Sequence, residues 1–197
     1  VFAVLDGCQD GVSLGETVWL DETFVSVDKP DRVTEEGKSL RGISRNKIAI
    51  ATATDGTGLI IAPLWVPKPS MKKTLEAFEG HIKLGSLLIH DGDNSHSLLV
   101  SKLGLRSEVH KAAETKGLED SDNPMDEIND VHSMFKRFLR MHGGFSRDDL
   151  MGWCNLFWFI WSEPRSRMEK VKKFLEMAVS THKRIKFRDI FGKKSDK

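Results

Sequence analysis

Residues 47–66 read KIAIATAT, DGTG, LIIAPLWV: two apolar runs joined by four turn-forming residues. Small, apolar and polar side chains alternate over KIAIATAT as a strand requires. Asp-Gly-Thr-Gly then turns the chain back into a second strand, LIIAPLWV. ETVWLDETFVSVD (16–28), rich in β-branched and aromatic residues, predicts a strand before them. The polar stretch PDRVTEEGKSLRGISRN between them reads as a loop. A fold containing this segment is built on an antiparallel meander.

Helical spacing follows. Met71, Leu75, Phe78 and Ile82 share one face, with Ser70 placed as N-cap. SLLIHD (86–91) predicts a short buried strand, SHSLLVSKLG a short helix closed by Gly104, and RSEVHKA a weak last strand. After a polar stretch at 114–122 the chain turns helical. Asn123-Pro124-Met125-Asp126 predicts an N-cap, a proline at the first helical position and an acid in the first turn. That helix runs to about His142, where Gly143-Gly144 stop it. Ser146 with Asp149 caps a second helix through DLMGWCNLFWFIW, and Pro164 opens a third, RSRMEKVKKFLEMAVSTHKR. The order β-β-β-α-β-α-β-α predicts an α/β fold, a mixed sheet flanked by helices with a helical C-terminal extension.

The 197 residues suffice for one domain with a real core, and 39% hydrophobic with 30% charged residues suits a globular chain. The longest dense apolar run, LFWFIW (156–161), falls far short of the roughly 20 residues that span a bilayer. No basic-then-apolar leader opens the chain, so no membrane or secretory role is expected. Cys8 and Cys154 are isolated, which excludes a CxxC zinc motif and suits a reducing cytoplasm. The charge is uneven. Residues 165–197 hold 12 Lys/Arg against 4 Asp/Glu, a net of +8, so with a whole-chain charge of +1 residues 1–164 carry −7. A basic tail behind an acidic body suits either a polyanion partner or a solvated charged helix.

Four features bear chemistry. WLDETF sets Asp21 and Glu22 inside an apolar strand, where alternation sends only one of them into a given site. IHDGDNSH ends a buried strand in Asp91 and Asp93. Either both are turn residues, or one is a carboxylate held at a strand end, where open α/β sheets place ligands. EINDVHSMFKRFLR carries an apolar stripe of Ile128, Val131, Phe135, Phe138 and Leu139, with Asn129, His132, Lys136 and Arg140 along another face. RGISRN (41–46) offers Arg41 and Arg45 to phosphate or to solvent. Two aspartates on adjacent strands and an oxygen donor from a helix would suit Mg²⁺.

Taken together, WLDETFV, RGISRNKIAIATATDGTG, IHDGDNSH and INDVHSMFKRFLRMHGGFSRDDLMGWCNLFWF resemble the DDE-superfamily insertion-sequence transposases, within them the ISXO-two-like branch with an Asp-Asp-Asn-Lys active site. The motifs run in family order over about residues 16–161. The Ile-Asn-x-x-His-Ser-x-x-Lys-Arg block, followed by Gly-Phe-Ser and an aromatic helix, carries most of the specificity. The resemblance implies an RNase H-like five-stranded mixed sheet over residues 16–161, preceded by a linker remnant (1–15); the basic helical tail (162–197) matches the family poorly, and a DNA-contact role for it is expected from its charge alone. The resemblance also implies Asp21, Asp91 and Asn129 as metal ligands and Lys136 as the helix-borne lysine, at successive intervals of 70, 38 and 7 residues. Asn129 offers a neutral carbonyl where commoner members have a carboxylate, so the site holds one negative charge fewer. Arg41, Arg45, His132 and Arg140 are the implied DNA contacts, with a structural hydrogen bond the alternative for His132.

The implied reaction is Mg²⁺- or Mn²⁺-dependent cleavage and strand transfer at transposon ends, with two ions. The implied partners are terminal-repeat and target DNA, bound by a homo-oligomer in the cytoplasm or a nucleus. Two other functions fit the same residues: a domesticated copy that binds DNA without cutting, and a nuclease that hydrolyses without joining. The family's usual N-terminal zinc ribbon has no counterpart here, since only Cys8 precedes Asp21, and a fragment or truncated copy is expected.

Overall fold

A computed structural model describes residues 1–26, 46–143 and 146–181. Five strands form one sheet: β1 (Thr17–Ser26), β2 (Lys47–Thr54), β3 (Leu59–Pro63), β4 (Leu87–His90) and β5 (Arg106–Val109), in the order β3-β2-β1-β4-β5. β1 pairs antiparallel with β2, and β2 with β3, the meander expected from the hairpin sequence. β4 and β5 run parallel to β1, each reached through a helical crossover.

The described helices of more than one turn are α2 (Met71–Phe78), α3 (Ser97–Leu103), α5 (Asp126–Met141), α6 (Leu150–Trp161) and α7 (Arg167–Ser180). Short α1 (Phe2–Leu5) and α4 (Ala112–Thr115) complete the set. Period-two alternation distributes the core over both faces. Ala49, Ala51 and Ala53 of β2 and Val18 and Leu20 of β1 pack with Leu75, Phe78, Leu99 and Leu103 of α2 and α3. Ile50, Leu59 and Ile61 face the other way, onto Val131, Phe135, Phe138, Leu150, Cys154 and Phe157 of α5 and α6.

Local signals set several boundaries. Ser70 caps α2 by accepting the Lys73 N–H at 3.4 Å, and Gly104 ends α3 in the left-handed region at φ 59°. The expected start of α5 is two residues early. Asn123 Oδ1 accepts the Met125 N–H at 3.0 Å in a local turn, and the helix itself begins at Asp126. Ser146 likewise caps a 3-10 turn, and α6 starts at Leu150. Residues 1–15 pack into the domain. Leu5 and Leu14 are buried, and Gln9 brackets edge strand β3, its Oε1 accepting from Ile61 N–H at 2.8 Å and its Nε2 donating to Ile61 O at 3.0 Å. Gln9 Nε2 also donates to Asn155 Oδ1 at 2.7 Å, tying α6 to the same edge.

The basic helix α7 spends two of its lysines on structure. Lys170 Nζ donates to the carbonyls of Phe159, Ile160 and Ser162, and Lys173 Nζ to that of Glu163, capping the C-terminal end of α6. Lys172 lies 3.9 Å from Glu176. Arg165 pairs with Glu163 at 2.7 Å, and the positive charge beyond Thr181 falls outside the described residues.

Candidate active site

The parallel pairing of β1 with β4 aligns Leu20 with His90, so Asp21 and Asp91 come next on neighbouring strands. Asp91 lies where β4 has just ended, and Asp21 continues in β1 opposite Thr52 of β2. Asp21 projects toward α5, whereas Glu22 points to the α2–α3 side, as alternation requires. Burial pushes the Asp21 carboxyl up to about 7, and the nearby charges of Asp91 and Glu22 push the same way. A carboxylate so placed is a site short of positive charge. Asp91 remains partly open to solvent, and its Oδ1 accepts the Asp93 N–H at 2.8 Å. Asp93 in turn caps the 3-10 turn at 94–96 by accepting the Ser95 N–H at 2.8 Å. The two aspartates of IHDGDNSH thus differ: Asp91 stands beside Asp21, and Asp93 is a capping residue.

On α5, His132 brings Nδ1 to 3.8 Å from Asp21 Oδ2. Burial, with the adjacent Lys136 charge, drops its pKa to about 3, so the ring is neutral and the contact is not an ion pair. Its Nε2 is buried without a hydrogen-bond partner. Asn129 and Lys136 stand one turn to either side of His132 on this helix, both exposed. Lys136 and Arg140 line a cavity of about 560 Å³ with Phe24, Val25, Leu139 and Arg147. Arg147, which the sequence reading did not select, donates from Nε to Ser26 O at 2.6 Å. Arg41 and Arg45 lie outside the described residues.

Sequence reasoning also missed a buried polar chain behind Asp91. His96 Nε2 lies 3.2 Å from both Glu22 oxygens, His96 Nδ1 lies 2.9 Å from His90 Nδ1, and His90 Nε2 lies 2.8 Å from Ser107 Oγ. The network assigns the protons. Gly92 N–H donates to His90 Nδ1 at 3.2 Å, so that nitrogen is an acceptor and the shared proton belongs to His96. Burial opposes charge on His96, yet its pKa is raised because the Glu22 carboxylate, then Asp91 and Asp93, outweigh that cost. Burial and the His96 charge together lower His90 to about 4. The chain therefore runs from Glu22 through His96, whose protonated form its acidic neighbours favour, to neutral His90 and Ser107. Glu22 and His96 are 74 residues apart, and the only sequence signal was a pair of histidines flanking Asp91.

No protein-family model and no curated protein sequence matches this chain. Solved structures do. A chain of the simian T-cell lymphotropic virus intasome in complex with PP2A regulatory subunit B56 gamma superposes with a TM-score of 0.50 at 7% identity, covering 76% of this chain and 49% of that one. The HTLV-2 integrase catalytic core domain in complex with magnesium gives 0.47 at 10% identity over 76% of this chain and 86% of its own. The Mos1 strand transfer complex gives 0.36 at 14% identity over 93% of this chain and 59% of that one. With the strand order above, the intasome match gives the fold: a five-stranded mixed sheet flanked by helices, RNase H-like as expected.

Proposed function

We propose that this chain is the catalytic domain of a DDE-type DNA transposase whose site is Asp21, Asp91, Asn129 and Lys136. One observation carries the reading: two carboxylates are neighbours, Asp21 inside β1 and Asp91 just past the end of the parallel strand β4, and the first is pushed up to about 7 by burial and by its neighbours' charge. Carboxylates forced together in this way suit a divalent cation, which offsets their repulsion. The donors are oxygens, two from carboxylates and one from the Asn129 amide, and this is the chemistry Mg²⁺ or Mn²⁺ selects. Asp21 and Asp91 would hold the cation, with Asn129 completing the set from α5. When bound, such ions activate the attacking oxygen of a phosphodiester displacement and stabilise the leaving one.

The chain's own residues supply the rest. Lys136 gives a point charge for a DNA phosphate beside the carboxylates, and Arg140 and Arg147 extend that charge along the cavity beyond β1. Neutral His132, buried between Asp21 and Lys136, holds α5 against β1 without adding positive charge that would compete for the carboxylates. The Asp91 carboxylate is fixed by the Asp93 N–H, and His96 stands behind it.

Purified protein incubated with labelled DNA and Mg²⁺ or Mn²⁺ should nick the strand and join the freed 3′-hydroxyl to a second duplex. Asp21→Asn and Asp91→Asn should reduce both products to background while keeping a cooperative thermal transition. Undiminished products in either variant would overturn the reading. Nicked but never joined products would favour a nuclease of the same fold.

A further inference from the structure

His90, Asp91 and His96 converge from the end of β4 and the turn that follows it, with one potential ligand atom from each within 4.8 Å of the others. The two rings meet edge to face, centroids 4.9 Å apart, and present their Nδ1 atoms to each other at 2.9 Å. His96 Nδ1 is also 3.8 Å from Asp91 Oδ1. Each ring is anchored at its far nitrogen, His96 on the Glu22 carboxylate and His90 on Ser107 Oγ. A carboxylate or hydroxyl behind the ring fixes its orientation and turns the other nitrogen toward one point, the outer-shell arrangement of metal-bound imidazoles. The His96 side chain is fully buried whereas that of Asp91 is 40% exposed, so the cluster opens to solvent on the Asp91 side.

We propose that His90, Asp91 and His96 form a binding site for a borderline divalent transition ion of the Zn²⁺ class. The donor set decides the class: two imidazole nitrogens and one carboxylate suit Zn²⁺ or Co²⁺, whereas Mg²⁺ takes oxygen donors. In a tetrahedral site with Zn–N distances of about 2.0–2.1 Å, ligand nitrogens stand roughly 3.4 Å apart. The two Nδ1 atoms therefore need to part by about half an ångström, and the Asp91 oxygen to swing in toward both rings, from 3.8 Å at His96 and from within 4.8 Å at the widest pair. The entering ion replaces the proton on His96 Nδ1, which leaves to solvent, and displaces the long Gly92 N–H contact on His90. A water or phosphate oxygen fills the fourth position. The site shares Asp91 with the one proposed above for the hard cation but does not depend on that reading.

Titrating the whole chain with Co²⁺ should produce the visible d–d absorption of a four-coordinate site, which added Zn²⁺ should bleach. No such absorption in the folded protein would overturn the proposal. His96→Ala should remove the band, and Glu22→Gln, which keeps both rings, should weaken Zn²⁺ binding about 10–100-fold in a calorimetric titration. A band that survives His96→Ala, or an unchanged affinity in Glu22→Gln, would also overturn it. Asp21→Asn separates the two readings: it should keep the Co²⁺ band and lose Mg²⁺-supported DNA processing. Wild-type protein that processes DNA with Mg²⁺ but shows no band would defeat this inference alone.

Discussion

Asp21 carries a cost that the fold sustains. Its folded pKa of about 7 lies above the ordinary 3.8, so the native state holds the proton more tightly than the unfolded chain does. The associated stability is fully present below about pH 4 and is lost as pH rises toward 7. Three units would amount to about 4 kcal/mol, and solvent access at the partly exposed side chain reduces this to about 1–3 kcal/mol. Asp21→Asn removes the charge, so its Tm should exceed that of the wild type at pH 8 and match it near pH 4. Thermal melts at the two pH values test this, and equal Tm values at pH 8 would contradict it. A residue that lowers stability where it stands, inside β1 beside a second carboxylate, fits a functional role better than a structural one.

At the scale of elements, Gln9 closes an edge. β3 is the last strand on its side of the sheet, and a single side-chain amide satisfies both the N–H and the C=O of Ile61 there. Gln9→Ala would orphan both groups and the Asn155 amide in a buried setting, at a cost of about 2–4 kcal/mol. Urea unfolding should show this as a lower midpoint, and Gln9→Glu should not rescue it because a carboxylate cannot donate to Ile61 O. Little of this was legible beforehand. Alternation marks β2, β-branched and aromatic content marks β1, short apolar runs mark β3 and β4, and the stripe from Ile128 to Leu139 marks α5, all of them signals local in sequence. Gln9 has no period to betray it, since its partners lie 52 and 146 residues away. The start of α5 differs for the opposite reason: Asn123 Oδ1 accepts the Met125 N–H in a local turn, a bond that an N-cap would also make, and the helix begins at Asp126. Asp21 and Asp91 were readable as a pair only through motif resemblance, whereas Glu22 and His96 needed the packing of β1 against the turn after β4.

For the whole molecule, the proposed cation site ties ion binding to folding. An ion held by Asp21 and Asp91 would bind the native state alone and remove the repulsion between them. At about a hundredfold excess over its Kd, Mg²⁺ should add about 2.7 kcal/mol and raise Tm by roughly 5–10 °C at pH 8. Asp91→Asn should abolish that rise. Differential scanning calorimetry with and without the ion reads it directly, and an equal rise in the variant would contradict the assignment.

The strand order has one more consequence, for the timing of assembly. β2 and β3 are hairpin neighbours and can pair as soon as both exist, but β1 meets β4 across a separation of about 70 residues and α5 docks later still in sequence. Closing the long loop costs entropy that the local hairpin does not pay, so β2 and β3 pair first and the carboxylates come together late. Half-folded chains then hold a sheet but no paired aspartates. In a refolding time course, Mg²⁺ protection should emerge only with the slowest native signal, well after hairpin amides are shielded from exchange. On the proposed function, a chain emerging from the ribosome would be unarmed until its last long-range pairing closes.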